Sequence, residues 1–196
     1  MLSIVLLRFR LSLDRFLTGS RSGLSALNSV LHKEDDVVAL AKRLSSSTEA
    51  TILGATLHTH MPFFLPHLKE MAARGGRVRV LLVAPDSEAT RMAADRAGVS
   101  SDTQLTLAVR QSLSELKLIG EQFRNVQVKN TKYLPPATLF AFDHTSEKGY
   151  LEVRFSTYRG GHTSRPTLKI SRGDDLEWFE WFMADFDRLW EASQEA

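Results

Sequence analysis

The sequence of 196 residues contains no cysteine. That absence excludes a disulfide-stabilised scaffold, a thiol nucleophile, an iron–sulfur cluster and a zinc site with cysteine ligands. It fits the cytoplasmic location that we expect, although a bacterial extracytoplasmic protein can also lack cysteine. An excess of charge is missing too, because 25 basic and 23 acidic residues leave a formal net charge of +2. Nucleic acid is therefore a possible partner that the net charge does not indicate.

Long hydrophobic runs and several common enzyme motifs are also absent. The apolar start ends at Arg8, which makes it too short for a signal peptide or a membrane span. No glycine-rich phosphate loop, G-x-G-x-x-G, H-E-x-x-H or G-x-S-x-G motif occurs. We therefore expect no membrane span, no cofactor and no bound metal.

Residues 1–33 form the first of two expected parts, an N-terminal appendage. Their apolar residues recur near helical spacing, with Arg8, Arg10 and Arg15 between them. The apolar positions are Leu2, Leu6, Phe9, Leu13 and Phe16 or Leu17. An alternating pattern over residues 7–13 leaves a strand open. We predict a helix that packs on the domain or on a second copy in a homodimer, with a basic helix on a membrane surface as the alternative.

Residues 34–196 form the second part, in which short apolar runs alternate with helical stripes. Strands are predicted at 51–57, 77–83, 125–129, 137–143, 150–156 and 167–170, and an amphipathic closing helix at 174–193. The strand–helix–strand spacing from 51 to 83 indicates a parallel βαβ unit. We predict one α/β domain with a mixed, mostly parallel sheet flanked by helices.

Histidines and a glycine-rich loop mark a candidate site. His58 and His60 directly follow the first strand, and ligands gather at the carboxyl ends of strands in such sheets. We expect His58, His60, Asp143, His162 and Arg165 to line one cleft that holds a small anion, a nucleotide or phosphate. Binding would be strongest below about pH 6.5, where histidine is protonated. Surface histidines, a turn-forming aspartate and a plain glycine turn are the alternatives.

The element order and several short patterns resemble the phospholipase-D-like superfamily, as one repeat of that fold over roughly 34–193. Ile52-Leu-Gly followed by Gly75-Gly-Arg-Val-Arg-Val-Leu-Leu is similar to the opening βαβ unit of that family, and Leu176 to Trp190 to its closing helix. The resemblance implies an H-x-K-x4-D motif on a strand before a hairpin. In the family the histidine attacks phosphorus, the lysine neutralises the phosphoryl oxygens and the aspartate supports the histidine.

This chain departs from the motif at two of its three positions. The matching stretch places Asp143 at the aspartate, Pro136 at the histidine and Thr138 at the lysine. Proline cannot act as a nucleophile, and threonine carries no positive charge. A rearranged site would need His58, His60 or His162 as nucleophile and Arg154, Arg159 or Arg165 as phosphate clamp.

Three functional hypotheses follow. The first is a non-catalytic, regulatory or sensory module that binds an anionic ligand or a partner protein, similar to degenerate domains found behind bacterial helix-turn-helix segments. Residues 1–33 are too short for such a segment, so its partner would be a separate chain. The second is a phosphodiesterase or nuclease with a rearranged site, working as a dimer. The third is an unrelated α/β regulatory module.

Overall fold

The computed structural model describes residues 31–32, 36–99, 101–159 and 165–196. These ranges contain eight strands and five helices. The strands are β1 (Leu31–His32), β2 (Glu49–Gly54), β3 (Arg77–Val83), β4 (Val126–Thr131), β5 (Ala137–Phe142), β6 (Tyr150–Phe155), β7 (Thr167–Ser171) and β8 (Gln194–Glu195). The helices are α1 (Val37–Ser46), α2 (Met61–Ala73), α3 (Glu88–Ala97), α4 (Asp102–Gln122) and α5 (Leu176–Glu191).

The described strands form a single sheet in the order β1-β7-β6-β5-β2-β3-β4-β8. All six strands predicted from the sequence belong to it, which confirms the mixed α/β fold flanked by helices. The two short strands β1 and β8 at its edges were not predicted. Of the predicted N-terminal appendage, residues 1–33, the structure describes only the two residues of β1. The predicted helix lies outside the described residues, and the boundary at residue 33 stays a prediction.

The prediction of a mostly parallel sheet is wrong. Only β2–β3 and β3–β4 are parallel, whereas every other neighbouring pair is antiparallel. Parallel neighbours need a long crossover, which α2 supplies between β2 and β3, and α3 and α4 supply between β3 and β4. The connection from β4 to β5, residues 132–136, is too short for a crossover. It stays at one end of the sheet, so β5 returns antiparallel beside β2.

Each face of the sheet has its own hydrophobic core. On one face, α1, α2 and α4 pack on β2 to β5 through residues such as Leu44, Phe64 and Leu116. On the other face α5 buries Phe179 and Phe186 against β5, β6 and β7. Strands buried on both faces read as continuous apolar runs, which is why they could be located in the sequence.

Local sequence signals set the ends of the helices. Asp36 caps α1, because its carboxylate accepts a hydrogen bond of 2.8 Å from the amide of Ala39. Ser87 caps α3 in the same way, and Gly98 ends that helix in the left-handed conformation with φ of 69°. No helix in the described ranges is long and apolar enough to cross a membrane.

Candidate functional site

A cleft lies at the end of the sheet formed by the carboxyl ends of the parallel strands. At this end β2 and β6 finish, while β5 and β7 begin. Thr138 on β5 lies directly opposite Arg154 on β6. The turn after β2 brings His60 to the same place. Strands β5 and β6 and the turn after β2 therefore bring side chains to one place.

The centre of the cleft is a buried arginine. Arg154 is only 2% exposed, and it shares one face of β6 with Glu152, which is 4% exposed. The Nε of Arg154 donates to Oε1 of Glu152 over 2.6 Å, and Nη1 lies 3.1 Å from Nε2 of His60. Glu152 also accepts a hydrogen bond of 3.0 Å from the hydroxyl of Tyr150. A carboxylate thus holds the buried guanidinium in place.

The contact with Arg154 indicates which tautomer of His60 the hydrogen bond needs. A guanidinium can only donate hydrogen bonds, so Nε2 of His60 must accept. The ring proton then sits on Nδ1, which lies 3.2 Å from the hydroxyl of Thr59. The rings of Phe64 and Phe140 pack against the imidazole with centroids 5.6 and 5.2 Å away. Whether protonated histidines strengthen anion binding in the cleft stays a prediction.

Two further arginines complete the lining of the cleft. Arg96, near the end of α3, donates a hydrogen bond of 2.8 Å to the carbonyl of Pro135, and Arg165 precedes β7. Burial, followed by the nearby charge of Arg165, lowers the pKa of Arg96. Hydroxyl groups also line the cleft. They belong to Thr56, Thr59, Thr138, Ser156 and Thr157.

The cleft is small, and the charged side chains of its described lining are all basic. Its volume is about 80 Å³, which is room for several water molecules or for one oxyanion. No carboxylate occurs among the described residues that line it. Glu152 contacts Arg154 but is not itself part of the lining. The described residues also contain no group of three or more side chains that could hold a metal ion. Such an arrangement is suited to binding an anion.

A strained turn positions His60. Leu57 adopts φ of 54°, a left-handed conformation that is costly for a leucine, yet its side chain is buried. Gly54 makes room for that side chain, because a Cβ at residue 54 would lie 2.8 Å from Cδ2 of Leu57. The turn then leads directly into α2, with His60 as the residue before its first turn.

Asp143, which was predicted to line the cleft, lies at the opposite end of the strands. Its carboxylate Oδ1 accepts hydrogen bonds from the amide and hydroxyl of Thr48 at 2.7 and 2.9 Å and from the amide of Glu49 at 3.1 Å. Those residues begin β2, whereas His60 follows its end, and a strand of this length spans about 17 Å. Asp143 therefore ties a turn to the sheet, which was the alternative interpretation.

The other predicted residues divide between the cleft and its surroundings. His60 and Arg165 line the cleft, but His58 is exposed and does not. His162 and the glycines beside it lie outside the described residues. Arg159 points away to pair with Asp95 over 3.1 Å. Of the four predicted residues that the structure describes, His60 and Arg165 therefore meet in the cleft, and the placement of His162 stays a prediction.

Comparisons with known proteins identify the fold. No protein-family model matches the chain, and no curated protein matches it either. Among solved structures, the chain is similar to Nuc, a phospholipase D family member from Salmonella typhimurium, with a TM-score of 0.52 and 11% identity over 81% of this chain and 89% of that chain. It is also similar to TrmBL2, an archaeal chromatin protein with a novel mode of DNA binding, with a TM-score of 0.55 and 9% identity over 100% of this chain and 69% of that chain.

The chain therefore has a phospholipase-D-like fold. At these identities the likeness concerns the fold alone. Within that fold the sequence did not single out two residues that shape the cleft: Arg96, which lines it, and Glu152, which holds Arg154. The alternation of Tyr150, Glu152 and Arg154 with apolar residues could have revealed the buried pair, because helices cover both faces of the sheet. Arg96 gives no such signal, since it follows the pattern of an exposed helix residue.

Proposed function

We propose that this chain is a non-catalytic phospholipase-D-like module that binds a small oxyanion, such as phosphate or the phosphate group of a nucleotide. The ligand would occupy the cleft of His60, Arg96, Arg154 and Arg165, and the module would serve a regulatory or sensory role. One observation carries the proposal. Three guanidinium groups converge on a hydroxyl-lined cleft whose described lining contains no carboxylate. An anion between them would relieve the repulsion between Arg96 and Arg165.

Among the described residues, the cleft offers a substitute for the missing lysine but not for the missing nucleophile. Thr138 stands at the lysine position, and Arg154 lies directly opposite it on the next strand. Positive charge therefore reaches the same place from β6. The histidine position is Pro136, and the nearby His60 uses its Nε2 lone pair to accept from Arg154. Binding is retained in this arrangement, whereas nucleophilic attack on phosphorus is not.

A phosphodiesterase with a rearranged site is the second candidate. One observation favours it, since His60, Arg154 and Arg165 meet in one cleft as that hypothesis requires. The hydrogen bond to Nε2 of His60 weighs against it, because a nucleophilic imidazole needs that lone pair directed at the substrate. We therefore place this candidate second. A dimer or a separate partner protein stays a prediction for both candidates.

Thermal unfolding with sulfate, inorganic phosphate and nucleoside monophosphates tests the proposal. An anion at one hundred times its dissociation constant adds about 2.7 kcal/mol of stability, which is about 5 to 10 °C for a chain of this size. We expect Arg96→Gln and Arg165→Gln to lose most of that gain. Stabilisation by the nucleotide but not by phosphate would identify a base-specific site rather than a simple oxyanion site.

The matched control is Arg91→Gln on the same helix. Arg91 is exposed, pairs with Glu88 on the surface and does not line the cleft. Sulfate also stabilises proteins by exclusion from their surface, and this general effect acts equally on all the variants. Equal stabilisation of wild type, Arg91→Gln, Arg96→Gln and Arg165→Gln would therefore reject the proposed site.

A further inference from the structure

An apolar groove with two half-exposed tryptophans runs between α5 and the edge of the sheet. Trp178 and Trp181 are 54% and 52% exposed. Their rings pack edge to face at 6.1 Å, and Trp181 contacts Phe182 in the same way at 5.0 Å. We call this surface the tryptophan groove. It is lined by Phe155, Leu168, Ile170, Trp178, Trp181 and Phe182.

The size and composition of the tryptophan groove indicate an occupant. Its two adjoining pockets have volumes of about 320 and about 560 Å³. Exposed aromatic patches of this kind are unfavourable in water and usually mark a contact surface. The cleft proposed to bind an anion lies on the opposite face of β6, because Arg154 alternates with Val153, which lines the groove.

We propose that residues 1–30 of the same chain occupy the tryptophan groove. The described chain enters the sheet there, because Leu31 in β1 pairs with Leu168, one of the residues that line the groove. Cross-strand partners share a face, so Leu31 lies on the α5 side of the sheet. Since β1 is antiparallel to β7, the preceding chain approaches from the end at Ile170 and Ser171, which also line the groove.

Charge complementarity supports this occupant. Residues 1–30 contain four arginines and one aspartate, a net charge of +3. Residues 174–191 contain seven acidic residues and one arginine, a net charge of −6. Two of those acidic residues, Asp187 and Glu180, already pair with Arg79 and Arg172. Others, including Asp174 and Asp175, lie beside the groove, where arginines of the segment can reach them.

The lengths of the two elements also agree. A helix over residues 2–17 measures about 24 Å, which is the length of the 16 residues of α5. Its apolar stripe, which includes Leu6, Phe9 and Leu13, would cover Trp178, Trp181 and Phe182. The glycine-containing stretch from Gly19 to Gly23 would allow the turn that the proposal needs between that helix and β1.

Contact quenching of a fluorescent label tests the proposal in the full-length chain. The absence of cysteine allows a single label, and we choose bimane on Ser12→Cys because tryptophan quenches bimane on contact. We expect the label to be several-fold dimmer than the same label on Ser114→Cys, an exposed position of α4 on the other face of the sheet. Trp178→Phe/Trp181→Phe should restore the emission of the first label and leave the second unchanged.

A mixing experiment separates the same chain from a second copy. Labelled Ser12→Cys chain carrying Trp178→Phe/Trp181→Phe is mixed with excess unlabelled wild type. Emission should stay high, because the tryptophans of another copy do not meet the label. Renewed quenching would overturn the proposal in favour of a segment exchanged within a dimer. A label that is already bright in the otherwise wild-type chain would also overturn it, and would leave a partner protein as the occupant.

Discussion

The guanidinium of Arg154 donates to Nε2 of His60 across 3.1 Å, at the end of the sheet where β2 and β6 finish. In this hydrogen bond Nε2 of His60 is the acceptor, since a guanidinium can only donate. This contact also engages the lone pair that a nucleophilic histidine would direct at phosphorus. The proposed module would in this way bind an oxyanion without the nucleophile of the family.

The first prediction concerns catalysis. Purified protein should hydrolyse bis-p-nitrophenyl phosphate no faster than background in the presence of EDTA. Pro136 cannot replace the family's histidine, and His60 is engaged by Arg154. The measurement is release of nitrophenol over many hours at high protein concentration. Turnover that resists EDTA and disappears in His60→Asn would contradict this expectation and would favour a rearranged phosphodiesterase.

The second prediction concerns the buried pair of Glu152 and Arg154. Arg154→Met should cost about 3–5 kcal/mol of unfolding free energy, because it leaves the Glu152 carboxylate buried without its cation. Glu152→Leu/Arg154→Met removes both charges and should cost less than the single change. Urea unfolding measures both. A double variant as unstable as Arg154→Met would show that the pair itself stabilises the fold.

Much of the fold could be predicted from the sequence because burial on both faces leaves a clear pattern. Residues 77–83 form β3 with the bounds expected, and α3 begins after Ser87 and ends at Gly98, as these residue types predict. The direction of the strands could not be predicted in the same way. It depends on where the short connection 132–136 leads, and that connection carries no periodic signal.

The candidate site was only partly predictable for a similar reason. The position of His60 after a buried strand indicated the correct end of the sheet. Asp143 was assigned to that end because it matches a family motif. It lies at the other end, since β5 runs against β2 and its end meets the start of β2. Arg96 was missed because only the tertiary packing of α3 brings it beside Arg165.

The third prediction concerns Asp143 as a structural residue. Asp143→Ala should cost about 2–4 kcal/mol, because it removes the acceptor of three hydrogen bonds from Thr48 and Glu49. The stabilisation gained from sulfate should stay at its wild-type value, since the cleft lies at the opposite end of the strands. Denaturant unfolding with and without sulfate measures both quantities. Loss of the sulfate effect in a folded variant would instead place Asp143 in the binding site.

The last prediction concerns the pH dependence of stability through His144. This side chain is only 19% exposed and lies near Arg79, Arg77 and Arg172, and its Nδ1 is 3.6 Å from Oε2 of Glu49. Burial first, and then the charge of Arg79, lower the pKa of His144 to about 4 from its ordinary value of 6.5. Asp187 opposes this shift but does not cancel it.

The sign of the effect follows from the protons that each state binds. The unfolded chain takes up a proton near pH 6.5, whereas the folded chain does so only near pH 4, so falling pH favours unfolding through this interval. The contribution is fully present above pH 6.5, and about 2 to 3 kcal/mol is lost by pH 4.5. Urea unfolding at pH 7.5 and 4.5 should therefore show wild type losing more stability than His144→Gln by that amount. Parallel losses in the two proteins would mean that His144 is protonated equally in the folded and unfolded chains.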